Sequence, residues 1–265
     1  MELFSIASGS SGNCILVGSD HTKLLVDAGI SAKRIEEGLN LHSLTCSDIS
    51  GILITHEHSD HVKSLGVLAR KYQIPMYATF RTIQYLKGAG SLGKYDFNLY
   101  QSISRDTPFS IGDIQIEANS TWHDAVDPVC YHFTQGDKKI SIATDLGNYT
   151  PYLLEKMSGS DLLLIEANHD IRMLEVGPYP YQLKQRILSD HGHLSNELSG
   201  EFIMKLLHRG VKGIILGHLS KENNFPDLAY ETVRQALKEN PYDAEPEDFH
   251  LTVASRDMPS AYFEI

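Results

Sequence analysis

Short apolar runs alternate with polar turns from the first residues of the chain. Leu3 to Ala7, Cys14 to Val17, Lys23 to Asp27 and Gly51 to Thr55 are rich in Ile, Leu and Val, are separated by turns such as GSDH, and read as strands. A helical period takes over at Ser31 to Leu39, His61 to Tyr72 and Thr79 to Lys87, the second stretch ending before the Ile74–Pro75 pair. Past about residue 108 the strand pattern returns in DIQIEAN, in VCYHFTQGDKKISIATD with its hairpin around Gly136, in DLLLIEAN and in GIILGH. Helices are expected at Pro180 to Leu188, Ser195 to His208 and Asp227 to Lys238. Strands in both halves with helices between them predict a mixed α/β (α+β) chain in which two helix-covered sheets pack face to face, a four-layer αββα sandwich. No linker or change of composition divides the sequence, so one domain over residues 1–265 is expected.

Composition narrows the setting. With 42% hydrophobic residues in 265, the chain can bury a core without staples. No apolar stretch approaches the roughly 18 residues of a spanning helix, and MELFSIASG lacks the basic start and long apolar run of a signal peptide. A cytoplasmic protein with no membrane contact is expected. Cys14, Cys46 and Cys130 show no CxxC spacing, which points to free, partly buried thiols rather than disulfides or a thiolate zinc site. The net charge of −11 argues against a broad basic surface for nucleic acid, while a short basic groove would escape that count. Thirteen histidines stand against a single tryptophan.

The densest chemistry lies in GILITHEHSDHV. His56 and His58 are two apart after an apolar strand, so both imidazoles point the same way and can chelate one ion. Ser59 is a plausible helix cap, which turns Asp60 and His61 off the strand axis toward a second position. One segment therefore offers ligands to two metals.

This HxHxDH pattern resembles the signature of the metallo-β-lactamase-fold hydrolases, and later motifs of that family recur in order along the chain. The resemblance implies that His123 in STWHDAVDP completes a first site with His56 and His58. It implies a second site of Asp60, His61 and His218, the last in GIILGHLS, with Asp145 of ISIATDLG bridging both. Asp27, closing KLLVDAG, matches an aspartate that orients the histidines, although as a strand-end Asp it also suits a turn. Nitrogen and oxygen donors throughout fit two divalent ions, Zn²⁺, Mn²⁺ or Fe²⁺. Two ions about 3.5 to 4 Å apart acidify a shared water toward neutrality, which is equipment for hydrolysis, with Asp60 among the catalytic residues.

Around this set, SDHGHLSNELSGEF opens a helix whose N-terminal N–H groups favour an anion. In phosphodiesterase branches of the family a histidine here contacts the scissile phosphate or protonates the leaving oxygen, which makes His193 the expected general acid; a helix-capping role is the alternative. Ser195 and Asn196 follow as expected substrate contacts, and Tyr179, Tyr181, Lys184 and Arg186 could stack on bases or hold phosphate. Near the N-terminus, ASGSSGNCI resembles the Ser-Gly-Ser-Ser-Gly-Asn of the YycJ/WalJ-like branch, whose members are 5′-to-3′ DNA exonucleases. Ser10, Ser11 and Asn13 would then position phosphate or water, while a plain tight turn accounts for the residues equally well. The function expected is a dinuclear metal phosphodiesterase acting on DNA. A small-molecule hydrolase for lactones, thioesters, cyclic phosphodiesters or β-lactams, a ribonuclease, and a metal-stabilised binding protein stay open, as does a homo-oligomer. His21, His42, His132, His169, His208 and His250 are assigned no role, His169 being the one placed to reach the site face.

Overall fold

The computed structural model describes residues 1–207, 211–238 and 250–265. Its strands fall into two seven-stranded sheets. Sheet one holds β1 (Glu2–Ala7), β2 (Cys14–Gly18), β3 (Lys23–Val26), β4 (Ile49–Leu53), β5 (Met76–Thr79) and β6 (Tyr100–Ile103) in sequence order. Sheet two holds β7 (Phe109–Ile111), β8 (Ile114–Ser120), β9 (Val129–Gln135), β10 (Lys138–Ala143), β11 (Leu162–Glu166), β12 (Gly213–Gly217) and β13 (His250–Val253). The last strand, β14 (Ser260–Glu264), crosses back to pair antiparallel with β1 and completes sheet one. Each sheet then runs through three antiparallel pairings followed by three parallel ones, so the two halves repeat one topology.

Alternation along the strands explains why the apolar runs are nearly continuous. Leu24 and Val26 face the core between the sheets while Leu25 faces the opposite core, and Leu162 and Leu164 alternate with Leu163 and Ile165 in the same way. Every such strand is buried on both faces, as period two demands when helices cover the outside. Three apolar layers result, one between the sheets and one under each set of helices, and three layers of core separate four of backbone. The expected αββα sandwich is the fold observed.

Helices α1 (Ala32–Asn40), α2 (Ser59–Val62), α3 (Leu65–Tyr72) and α4 (Phe80–Ala89) belong to the first half of the chain. Helices α5 (Pro151–Met157), α6 (Ile171–Val176), α7 (Tyr181–Ile187), α8 (Asn196–Leu207) and α9 (Pro226–Lys238) belong to the second. The helix expected over His61 to Tyr72 is split into α2 and α3. At the break the Ser64 N–H donates to Ala28 O at 2.9 Å and its hydroxyl to Ile30 O, which diverts the backbone to hold the loop after β3. His208, the expected end of α8, lies outside the described residues. Cys14, Cys46 and Cys130 are free and fully buried. No described helix is long and apolar enough to cross a membrane.

Candidate metal centre

The ligand candidates gather at one end of the sandwich, beyond the C-terminal ends of β3, β4, β10, β11 and β12. Asp27 follows β3, His56 and His58 follow β4, Asp145 follows β10, Glu166 ends β11 and His218 follows β12. His123 lies between β8 and β9. Asp27, Asp145 and His218 hold left-handed backbones at φ of 62°, 58° and 55°, a conformation costly for non-glycine residues and concentrated at functional sites. Gly29 is required for a different reason: a Cβ there would lie 1.6 Å from Asp60 O, so the loop after β3 and the start of α2 touch backbone to backbone.

Two sets of donor atoms result. His56, His58 and His123 form one group and Asp60, His61 and His218 another, each with ligand atoms within 4.8 Å of one another. Asp145 stands between them, its Oδ1 3.6 Å from His123 Nε2 and 3.7 Å from His218 Nε2, its Oδ2 3.1 Å from His61 Nε2. The outward nitrogens are already engaged: His61 Nδ1 meets Asp27 Oδ2 at 2.7 Å, His218 Nδ1 meets Glu166 Oε1 at 2.7 Å, and His123 Nδ1 meets Gly192 O at 3.0 Å. Such bonds set the tautomer and leave Nε2 lone pairs facing inward. His56 Nε2, His218 Nε2 and Asp145 Oδ2 are buried with no hydrogen-bond partner. Buried orphans of this kind are costly, and divalent cations held at the two donor sets would satisfy them. The residues present fit divalent-metal binding.

Glu166 carries no signal in the sequence beyond ending an apolar strand, yet it is central. Its Oε1 takes His218 and, at 2.8 Å, His193 Nδ1; its Oε2 accepts from Leu146 N and Leu194 N at 3.0 and 3.2 Å. Burial opposes its ionisation, but the imidazoles of His193 and His218 outweigh it and hold the carboxyl below the usual range. Glu166→Gln would remove the charge and turn one acceptor oxygen into a donor that must face either the two backbone N–H groups or the two imidazoles. The expected result is a roughly 10- to 100-fold loss of metal affinity or activity, read by metal titration and kcat/KM; values equal to wild type would reduce Glu166 to packing.

The protons divide between the two sets. Burial lowers His56 and His123 below the ordinary imidazole value, so both are neutral and ready for a cation. Burial also acts on His218 and His61, but carboxylates prevail, Asp145 first: His218 is pushed up to about 10 and His61 well above its ordinary 6.5. A raised folded-state pKa stabilises the metal-free protein fully below about pH 6.5, and that contribution is lost as pH climbs toward 10. A bound cation must displace these protons. Thermal melts with and without metal from pH 6 to 9 are therefore expected to diverge as pH rises, and a constant gap would contradict this assignment.

Other expected residues fall in varied places. His193 is partly exposed at the rim and lines, with Ser195, Gly147 and His169, a cavity of about 340 Å³. Ser195 Oγ accepts from Leu198 N at 3.2 Å, capping the first turn of α8. Ser10 and Ser11 are exposed on a tight turn closed by Gly12 N to Gly9 O at 2.9 Å. Asn13 is buried instead of facing a substrate: its side chain bonds Gly9 on both sides and sits 3.2 Å from His61 Nε2, because the turn must be pinned to the ligand loop. Asn196 is likewise fully buried, its amide pairing with Asn224, which ties α8 to the loop after β12. His42 packs between Phe4 and Tyr262, and His132 is buried against Ser141 at 2.6 Å.

Residues 22–218 match the β-lactamase superfamily domain. The exodeoxyribonuclease WalJ of Streptococcus pneumoniae is 45% identical over 236 residues, covering 88% of this chain and 86% of that protein. The exodeoxyribonuclease YycJ of Bacillus anthracis is 38% identical over 263 residues, covering 96% of each. Among solved structures, Zn²⁺-bound PqqB from Methylobacterium extorquens superposes over the whole of both chains with a TM-score of 0.71 at 16% identity, a likeness of fold alone. Sandwich, clustered donors and sequence agree, and the chain belongs to the β-lactamase superfamily, in its metallo-β-lactamase fold.

Proposed function

We propose that this protein is a dinuclear metal-dependent phosphodiesterase that removes nucleotides from the 5′ end of DNA. The observation that carries the reading is His193, held by Glu166 at the edge of the donor cluster with Nδ1 engaged and Nε2 left for a substrate. The relatives named exodeoxyribonuclease support DNA as the substrate.

In this reading His56, His58 and His123 would hold one divalent ion and Asp60, His61 and His218 the other, with Asp145 between the two donor sets. The donors suit Zn²⁺, Mn²⁺ or Fe²⁺. Such ions supply a nucleophile from water at neutral pH and neutralise charge growing on phosphoryl oxygens. The protein's own contribution is orientation and proton transfer. Asp27, Glu166 and the Gly192 carbonyl fix the imidazoles, so no reorganisation is needed when charge develops. His193, its ring locked by Glu166, donates a proton from Nε2 to the departing 3′ oxygen. Ser10 and Ser11, on the turn whose Asn13 N–H bonds Asp60 O, and Ser195, which shares a cavity with His193, are the residues proposed to contact the phosphate.

The test is cleavage of a 5′-phosphorylated, end-labelled duplex with Mn²⁺, Zn²⁺ or Mg²⁺, against a chelator control. Stepwise shortening from the 5′ end only with metal supports the proposal. Degradation of matched RNA but not DNA would select a ribonuclease, and turnover of a small ester alone would select a small-molecule hydrolase.

A further inference from the structure

The only tryptophan of the sequence is Trp122, and it is 44% exposed immediately before the metal-ligand candidate His123. A large apolar ring left in water beside a reaction centre lacks the burial that ordinarily justifies its size. Among the described residues its ring neighbour is His191, itself exposed, with centroids 6.0 Å apart and planes at 37°. Two residues along, the ring of His193 lies 5.1 Å from that of His123. Two neighbouring loops thus carry two ring pairs, an inner one at the donor cluster and an outer one facing solvent.

The loops are bound to each other at several points. Asp124 N donates to His191 O at 3.0 Å, Gly147 N donates to Trp122 O at 2.8 Å, and His123 Nδ1 meets Gly192 O. A Cβ on Gly147 would lie 2.4 Å from Gly192 N, so the third loop is in backbone contact as well. Arg186, in the last turn of α7 just before the His191 loop, bonds both oxygens of Asp124 through its guanidinium while its side chain stays half exposed. Trp122 is therefore held at a set spacing from the candidate ligand atoms, two residues from the Asp124 that Arg186 pairs with.

We infer that Trp122 and His191 form a stacking platform for the nucleobase adjoining the scissile phosphodiester, with Arg186 facing a neighbouring phosphate. This rests on the nuclease reading above and adds the element that the donor cluster lacks, a grip on the nucleotide rather than on its phosphate. Every base has a π-face, so such a platform holds the strand without selecting its sequence. An acidic chain needs grip of this kind, because its net charge of −11 gives little general attraction for DNA.

The single tryptophan makes the test direct. Metal-loaded protein is titrated with a fluorescently labelled, cleavage-resistant phosphorothioate oligonucleotide, following Trp122 emission and the anisotropy of the label together. Saturable quenching that tracks binding supports the platform, as does loss of quenching when the terminal nucleotide is made abasic. Trp122→Ala is expected to raise KM for DNA on the order of 5- to 150-fold with kcat little changed, and Trp122→Phe to restore most of it. Binding with unchanged emission, or an alanine variant with wild-type KM, overturns the platform and leaves the nuclease standing. Absence of both binding and cleavage of an unmodified oligonucleotide overturns the nuclease reading and the platform with it.

Discussion

Asp145→Ala is expected to cut metal-dependent cleavage by more than about three orders of magnitude, since it would help to hold the ions that supply a nucleophile from water at neutral pH. One carboxylate reaches both donor sets, with oxygens 3.1 to 3.7 Å from His61, His123 and His218. Burial alone would raise its pKa, but His218 and His61 hold it well below the carboxylate range, so it is anionic at neutral pH. Removing it leaves the two donor sets without their common anion. Asp60→Ala is expected to act through the second set alone. Cleavage rates should be read beside the metal content of each variant, with circular dichroism to establish folding. A folded Asp145→Ala protein retaining a tenth of wild-type activity would sink the site assignment.

His193→Ala should lower kcat on DNA by roughly 10² to 10⁴ while metal content stays at wild type. The size of the effect depends on the leaving group. A 3′ alkoxide needs a proton as it departs, whereas p-nitrophenolate does not, so a p-nitrophenyl phosphodiester should lose far less. Equal losses on both substrates would show that His193 grips the phosphate and transfers no proton. Glu166 sharpens the comparison because it also holds His218, so its replacement should damage metal binding where that of His193 does not.

The ligand candidates were legible because their chemistry is compressed: three histidines and an aspartate within six residues, at a junction of strand and helix, concentrate donor atoms far beyond what a polar turn needs. His123, Asp145 and His218 are each ambiguous singly and gain meaning from order and from their positions after strands. Glu166 could not be found that way. It ends an apolar run as an isolated carboxylate, and only the fold brings it to His193 and His218, which lie 27 and 52 residues away. The one available cue is chemical, an acidic residue closing a strand that is otherwise apolar. Asn13 and Asn196 illustrate the opposite difficulty. Polar residues in a small-residue loop or at a helix start suit a substrate, yet both are buried staples of the backbone. Short strands such as β5, β6, β13 and β14 also left little trace, because four or five residues with distant partners carry almost no local pattern.

The crossing of β14 into sheet one bears on how the molecule is made. During synthesis the ribosome delivers every strand of sheet two before the one that covers β1. Until then β1 presents a bare edge, open to pairing with another nascent chain. The half that carries the HxHxDH segment is thus the last to be sealed, and a chaperone that shields a strand edge would help it more than one that only hides apolar surface.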